Sequence, residues 1–191
     1  MERTERIRCF FCIPLPSAIA REISAWIELG RRTPRLRGVR WLRCDNLHIT
    51  LRFCGEIPPA SVQRLKDGAR QIIAESFTSP LELSIGPLGS FGRPPRVLWA
   101  GLLGDVGQLG DLHRRLDKLC NDEGLRSDHA HFAPHITLAR IPSPIQLGRL
   151  APWPLTGCQW TIQGIEFTRS RLTPAGPRYS TIESYPFQPQ C

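Results

Sequence analysis

The chain is poor in lysine, methionine and tyrosine, and it has neither a long apolar run nor an ordered pattern of cysteines. Each shortage excludes something. Lys66 and Lys118 are the only lysines among 25 basic residues, so the net charge of +8 is arginine charge. Guanidinium groups offer planar forks to phosphate oxygens, which points to an anionic partner; the competing reading is arginine usage that follows genome composition. No run approaches the roughly 20 apolar residues that a membrane-crossing helix needs. The segment MERTERIRCFFCIPLP carries charges of both signs before a short apolar run and prolines, a poor secretion signal. A cytoplasmic protein without a membrane partner is the expectation. The seven cysteines are odd in number and scattered, unlike a disulfide framework. Cys9 and Cys12 form a C-x-x-C, but no second pair follows, and residues three apart on a strand face opposite ways. Apolar filler is therefore favoured over a redox or zinc site.

What is present has the patterning of one ordinary globular unit. Ile7 to Ile13 is a nearly unbroken apolar run that predicts a central strand before Pro14 and Pro16. Ile19, Ile23, Trp26 and Ile27 follow at helical spacing, with Ser17 as the expected N-cap and Gly30 as the stop. RRTPRLRGVRWLR, from Arg31 to Arg43, holds six arginines in thirteen residues. Such a run can face phosphate, but a solvated surface is the better expectation. The spacing predicts a second helix over Pro59 to Glu75, strands in LELSIGPLGSF and RVLWAGL, and a third helix over Leu109 to Leu119 that stops before Gly124. The strand-like segments WTIQGIEFTRS and RYSTIESY close the chain. Helices mixed with hairpins favour an α+β architecture over a doubly wound parallel sheet.

One phrase occurs twice. NLHITLR runs from Asn46 to Arg52, and PHITLAR from Pro134 to Arg140, so His-Ile-Thr-Leu recurs after 87 positions. Five histidines and ten threonines predict roughly 0.3 chance occurrences of His-x-Thr, so two identical tetrads stand above composition. Residues i and i+2 of a strand share a face. His48 and Thr50 then point one way while Ile49 and Leu51 enter a core, and His135 and Thr137 do the same against Ile136 and Leu138. Two such strands side by side present two imidazoles and two hydroxyls to one cleft. Histidine titrates near neutrality, so two can divide acid and base duties. A cyclic phosphodiester needs that division, with threonine hydroxyls free to donate to the non-bridging oxygens. Such a scheme calls for no metal and no cofactor.

The plainer alternative makes each histidine a structural residue of a half-buried strand. A metal site is a third reading, because SDHAHFAPHIT places Asp128, His129, His131 and His135 within eight residues. No HExxH, cysteine pairs or carboxylate cluster completes it, and Pro134 interrupts the geometry. Two arginines extend the constellation as candidate phosphate contacts. Arg52 shares the face of His48 and Thr50 if its strand is regular, whereas Arg140, at an odd offset from His135, needs a bend or bulge to join them.

These residues, with the phrases NLHITLRFCGEI, PRVLWAGL, APHITLAR and TRSRLTPAGPRY, resemble the two His-x-Thr-x motifs of the 2H phosphoesterase superfamily. The resemblance is to its RNA 2′,3′-cyclic phosphodiesterase branch, the 2′-5′ RNA ligase-like proteins, and runs from about Ile7 to Pro186. It implies one domain over residues 1–191, built as two pseudo-symmetric lobes of antiparallel sheet with flanking helices around a central cleft. It implies His48 as proton donor, His135 as proton acceptor, Thr50 and Thr137 on the phosphate oxygens, and Arg140 as a further positive contact. The implied reaction opens a 2′,3′-cyclic phosphate on RNA or a small nucleotide to a 2′-phosphate, in a monomer, with 2′-5′ ligation as a companion activity. A non-catalytic protein that grips RNA ends, and a phosphodiesterase for another cyclic or 2′-5′-linked nucleotide, are the alternatives. His131 stands where relatives often carry a basic residue, and neither His129 nor the tail after Tyr185 acquires a role.

Overall fold

The computed structural model describes residues 5–77, 79–126, 132–143, 150–174 and 176–187. The first apolar run forms β1 (Ile7–Pro14), buried on both faces from Cys9 to Ile13. Helix α1 (Ser17–Arg31) follows, burying Ala20, Ile23, Trp26, Ile27 and Gly30 at helical spacing. Two expectations fail here. Ser17 is the first helical residue and Pro16 the N-cap, without a side-chain bond. Gly30 lies inside the helix because Trp41 packs where a side chain would stand; a Cβ there would be 2.5 Å from the indole Cζ2. The chain continues through β2 (Arg40–Trp41), β3 (His48–Ile57), α2 (Pro59–Ser76), β4 (Leu81–Phe91), β5 (Val97–Gly104) and α3 (Val106–Asp122). It closes with β6 (His135–Arg140), β7 (Gln159–Ile162), β8 (Gly164–Thr173) and β9 (Gly176–Pro186). WTIQGIEFTRS, expected as one strand, is broken at Gln163 into β7 and β8. Gly164 lets β9 approach closely, since a Cβ would meet the Tyr185 carbonyl at 2.4 Å.

All nine strands among the described residues join one antiparallel sheet in the order β7-β4-β5-β6-β3-β1-β8-β9, with β2 beside β6, so the α+β expectation holds. The two His-Ile-Thr-Leu strands are neighbours at its centre, paired through Ile49 and Ile136. Around that pair the halves mirror each other, β3 followed by β1 and β8, and β6 followed by β5 and β4. The helices cross the seam. Helix α3 leads into β6 yet packs on β3 through wholly buried Leu109, Leu112 and Leu116, each contributing about 2 kcal/mol. Helix α1 leads towards β3 yet lies against Trp41 of β2, which pairs with β6, and against Trp153.

Each central strand carries a one-residue bulge at the same place in its motif. Along β3 the partners step from Thr50 opposite Cys12 to Arg52 opposite Phe11, leaving Leu51 extra. Along β6 they step from Thr137 opposite Trp99 to Ala139 opposite Leu98, leaving Leu138 extra. Both leucine carbonyls find donors outside their own ladders: His113 Nδ1 of α3 lies 2.8 Å from the Leu51 oxygen, and the Leu42 amide 2.9 Å from that of Leu138.

The bulge overturns the placement of Arg52 in the cleft. Past Leu51 the alternation slips by one, so Leu51 and Arg52 both face the helices. Arg52 is 3% exposed, its Nε 2.6 Å from Asp117 Oδ1 on α3 and its Nη2 donating to the Leu125 carbonyl at 2.6 Å. Its Nη1 donates to the Phe53 carbonyl. Arg52→Ala leaves these acceptors unpaired and is expected to lower unfolding stability by about 3 kcal/mol, as read from urea denaturation. An unchanged denaturation midpoint would contradict the structural assignment.

Candidate active site

The central pairing sets the geometry of the site. Because β3 and β6 run antiparallel about Ile49 and Ile136, His48 lies towards Thr137, and His135 towards Thr50. Each imidazole is held in the same way. His48 Nδ1 is 2.8 Å from the Asn46 carbonyl, and His135 Nδ1 is 2.7 Å from the Ala133 carbonyl, two residues upstream in both cases. A carbonyl only accepts, so the Nδ1 positions carry hydrogen and the neutral rings keep their lone pairs at Nε2. His48 Nε2 lies 3.0 Å from Thr50 Oγ1. Buried Asn46 is fixed in turn by donating from Nδ2 to the Pro177 carbonyl at 3.0 Å, which ties the residues before β3 to β9.

Aromatic rings wall both histidines, a feature the motif did not reveal. Phe10 and Tyr179 lie against His48, with ring centroids 5.0 and 5.3 Å away, the Tyr179 ring edge-on. Phe91 meets His135 edge-on at 4.9 Å, and Trp99 flanks it at 6.3 Å. This burial depresses both imidazole pKa values below the ordinary 6.5 by disfavouring the charged ring. The carbonyl on each Nδ1 opposes that shift, and at His48 the nearby charge of His135 adds to it, which places the rings within electrostatic reach of each other. The sequence signals for the walls are the adjacent Phe10 and Phe11 of β1 and the Phe91 to Trp99 hairpin; which ring meets which histidine depends on strand order.

The second bulge does for Arg140 what regular alternation could not. With Leu138 extra, Leu138 and Ala139 are both buried and Arg140 returns to the face of Thr137. Burial pushes the Tyr179 phenol up, and Arg140 and Arg8 stand close enough to pull it partly back, so Arg140 lies towards the His48 end of the cleft, where Tyr179 stands. The position matching Arg140 in β3 is Phe53, half-exposed, stacked on Phe10 at 6.3 Å and covered by the Arg8 guanidinium 4.5 Å from its centroid. One flank thus presents Arg140, and the other an aromatic pair capped by Arg8. The six arginines of the Arg31 to Arg43 run are exposed, as expected, but Arg40 of β2 lies directly opposite Arg140 and joins the cationic flank.

The remaining sequence candidates fall elsewhere. Cys9 enters the core, while Cys12 faces the cleft side with its sulfur 3.4 Å from Thr168 Oγ1. Burial pushes the Cys12 thiol up to about 12, leaving it protonated at neutral pH. Among the described residues no group of three or more His, Cys, Asp or Glu is placed to hold a metal ion. Asp128, His129 and His131 of the metal reading lie outside the described residues. Nor is any described helix long and apolar enough to cross a membrane.

Ring-nitrogen NMR should find His48 and His135 as Nδ1–H tautomers at neutral pH, both gaining their second proton below pH 6.5, the ordinary midpoint. A ring nitrogen titration centred above that midpoint in either residue would contradict the burial argument.

A family profile described as the 2′-5′ RNA ligase superfamily matches residues 15–172. A Geobacillus stearothermophilus protein named RNA 2′,3′-cyclic phosphodiesterase is 30% identical over 187 residues, 95% of this chain but 58% of its own length. The chain therefore spans little more than half of that relative. An Escherichia coli protein of the same name is 31% identical over 180 residues, covering 90% of this chain and 95% of its own. The solved apo structure of E. coli LigT superposes with a TM-score of 0.77 at 26% identity, over 97% of this chain and 99% of that one. The chain belongs to the 2′-5′ RNA ligase superfamily of 2H phosphoesterases.

Proposed function

We propose that the chain hydrolyses 2′,3′-cyclic phosphodiesters at RNA ends, or on small nucleotides, to 2′-phosphomonoesters. The observation that carries this reading is the pair of imidazoles pinned at Nδ1, which leaves each Nε2 lone pair to the cleft and that of His48 to the Thr50 hydroxyl, set about one backbone pair between aromatic walls. In the reaction His135 Nε2 takes a proton from the water that attacks phosphorus. Protonated His48 gives its Nε2 proton to the departing ribose O3′, so one P–O bond forms as another breaks. The division of roles follows the likeness to the family, in which the first motif supplies the acid. Thr50 and Thr137 donate hydrogen bonds to the non-bridging oxygens, and Arg140 balances their charge. An RNA 5′-hydroxyl in place of water would join two ends by a 2′-5′ bond through the same transfers. The site is complete within one chain, which suits a monomer. The six described cysteines are free, which suits the reducing cytoplasm.

The active form holds one proton between two rings whose pKa values both lie low, so kcat/KM should be bell-shaped in pH with its maximum below pH 6.5. On an oligonucleotide ending in a 2′,3′-cyclic phosphate, with EDTA present, His48→Ala and His135→Ala should each lose about 100-fold or more of kcat/KM. Full turnover by both variants would defeat the mechanism, and tight binding of the RNA end by the parent without turnover would make this a binding protein instead.

A further inference from the structure

On the His48 side the cleft opens into a second cavity of about 250 Å³, walled by Arg43, Asp45, Asn46, Thr173, Arg178 and Tyr179. It adjoins the first site through the residues that position His48: the Asn46 carbonyl holds the ring at Nδ1, and Tyr179 stands edge-on to it. The walls carry positive charge in excess. Arg43 meets Asp45 at 3.4 Å, but both side chains are largely exposed, at 64% and 78%, so the pair is solvated and weak. Arg178 is exposed and has no ion pair among the described residues. Nearby, Arg40 faces Arg140 directly across adjacent strands, an arrangement of like charges that costs free energy until an anion lies between or beside them. Cationic side chains gathered about a polar hollow are the arrangement that binds phosphate.

We infer that this cavity is a second phosphate subsite, which holds the phosphodiester on the 5′ side of the terminal nucleotide. The inference rests on the reaction proposed above: His48 protonates the ribose oxygen, so the ribose lies at the His48 end. The chain that continues from its 5′ carbon leaves towards Arg43 and Arg178. Among the described residues the far flank presents aromatic rings, Phe53 beneath the Arg8 guanidinium and Phe91 against His135, rather than a polar hollow. The subsite makes the protein selective for RNA ends over nucleoside 2′,3′-cyclic phosphates, which have no second phosphate to place there.

The test compares kcat/KM for adenosine 2′,3′-cyclic phosphate and its 5′-phosphorylated form. The parent should prefer the 5′-phosphorylated substrate about 10-fold, the size of one charge-assisted contact. Arg43→Gln combined with Arg178→Gln should bring that ratio close to one, and Arg178→Gln alone should lower it part of the way. Removing an exposed charge that does not line the cavity, Arg21→Gln on α1, should keep the parental ratio, separating a local subsite from general attraction. A parental ratio near one, or a ratio the double variant does not change, overturns the subsite. Calorimetric binding of adenosine 2′-phosphate and adenosine 2′,5′-bisphosphate asks the same question without turnover. A preference for the bisphosphate that the double variant loses, in a protein that cleaves neither substrate, upholds the subsite while rejecting the hydrolase reading.

Discussion

The site depends on one backbone pairing. Ile49 and Ile136 meet at the centre of the sheet with their side chains wholly buried, and because the period of a strand is two, that burial turns the residues before and after each of them to the other face. Two histidines and two threonines thereby reach one cleft without any interaction among themselves having to place them. Just beyond, the twin bulges end the alternation. They would leave two leucine carbonyls unpaired in the interior, and the ring of His113 and the amide of Leu42 remove that cost. Arg52 then bonds β3 to α3 from the inside, so the strand that carries one half of the site is clamped by the helix that leads to the other.

The chemistry follows from the contrast between these polar groups and their walls. Phe10, Tyr179, Phe91 and Trp99 hold water away from the rings, which disfavours charge on both. In the proposed mechanism the proton shared between them is weakly held, and a bound phosphate, itself anionic, would raise the affinity for it. Arg140 and Phe53 occupy matching positions of the two motifs, so one side of the cleft presents a guanidinium and the other an aromatic ring that Arg8 covers. A phosphate chain and a flat ring would find different surroundings on the two sides of otherwise equivalent histidines.

Much of this was legible in the residues. The helices α2 and α3 and the strands β1, β4 and β5 follow from apolar periodicity and proline punctuation, and the repeated tetrad carried the site. What escaped were backbone devices without a side-chain signature. Period-two counting put Arg52 in the cleft because it has no means of registering an extra residue. Yet Arg140 was seen to need a bulge, and since the tetrad repeats, a bulge in one strand implied one in the other and hence the burial of Arg52. Gly30 misled for a different reason. A missing Cβ serves a helix stop and a close tertiary approach equally well, and only the position of Trp41 decides between them. The aromatic walls and the cavity of Arg43 and Arg178 depend on strands far apart in the chain being brought together, information that local pattern does not hold.

The crossing of the helices has a bearing on how two like halves can act unlike. Two separate copies exchanging helices about a twofold axis through Ile49 and Ile136 would build the same seam, but their histidines would be equivalent by symmetry, each as good an acid as it was a base. Within one polypeptide the symmetry is only approximate, so Arg52 and Ala139, or Phe53 and Arg140, can be written independently on the two sides of the axis. The division of labour proposed for the imidazoles would in this sense be a property of covalent connection, available to the chain because its halves cannot be interchanged.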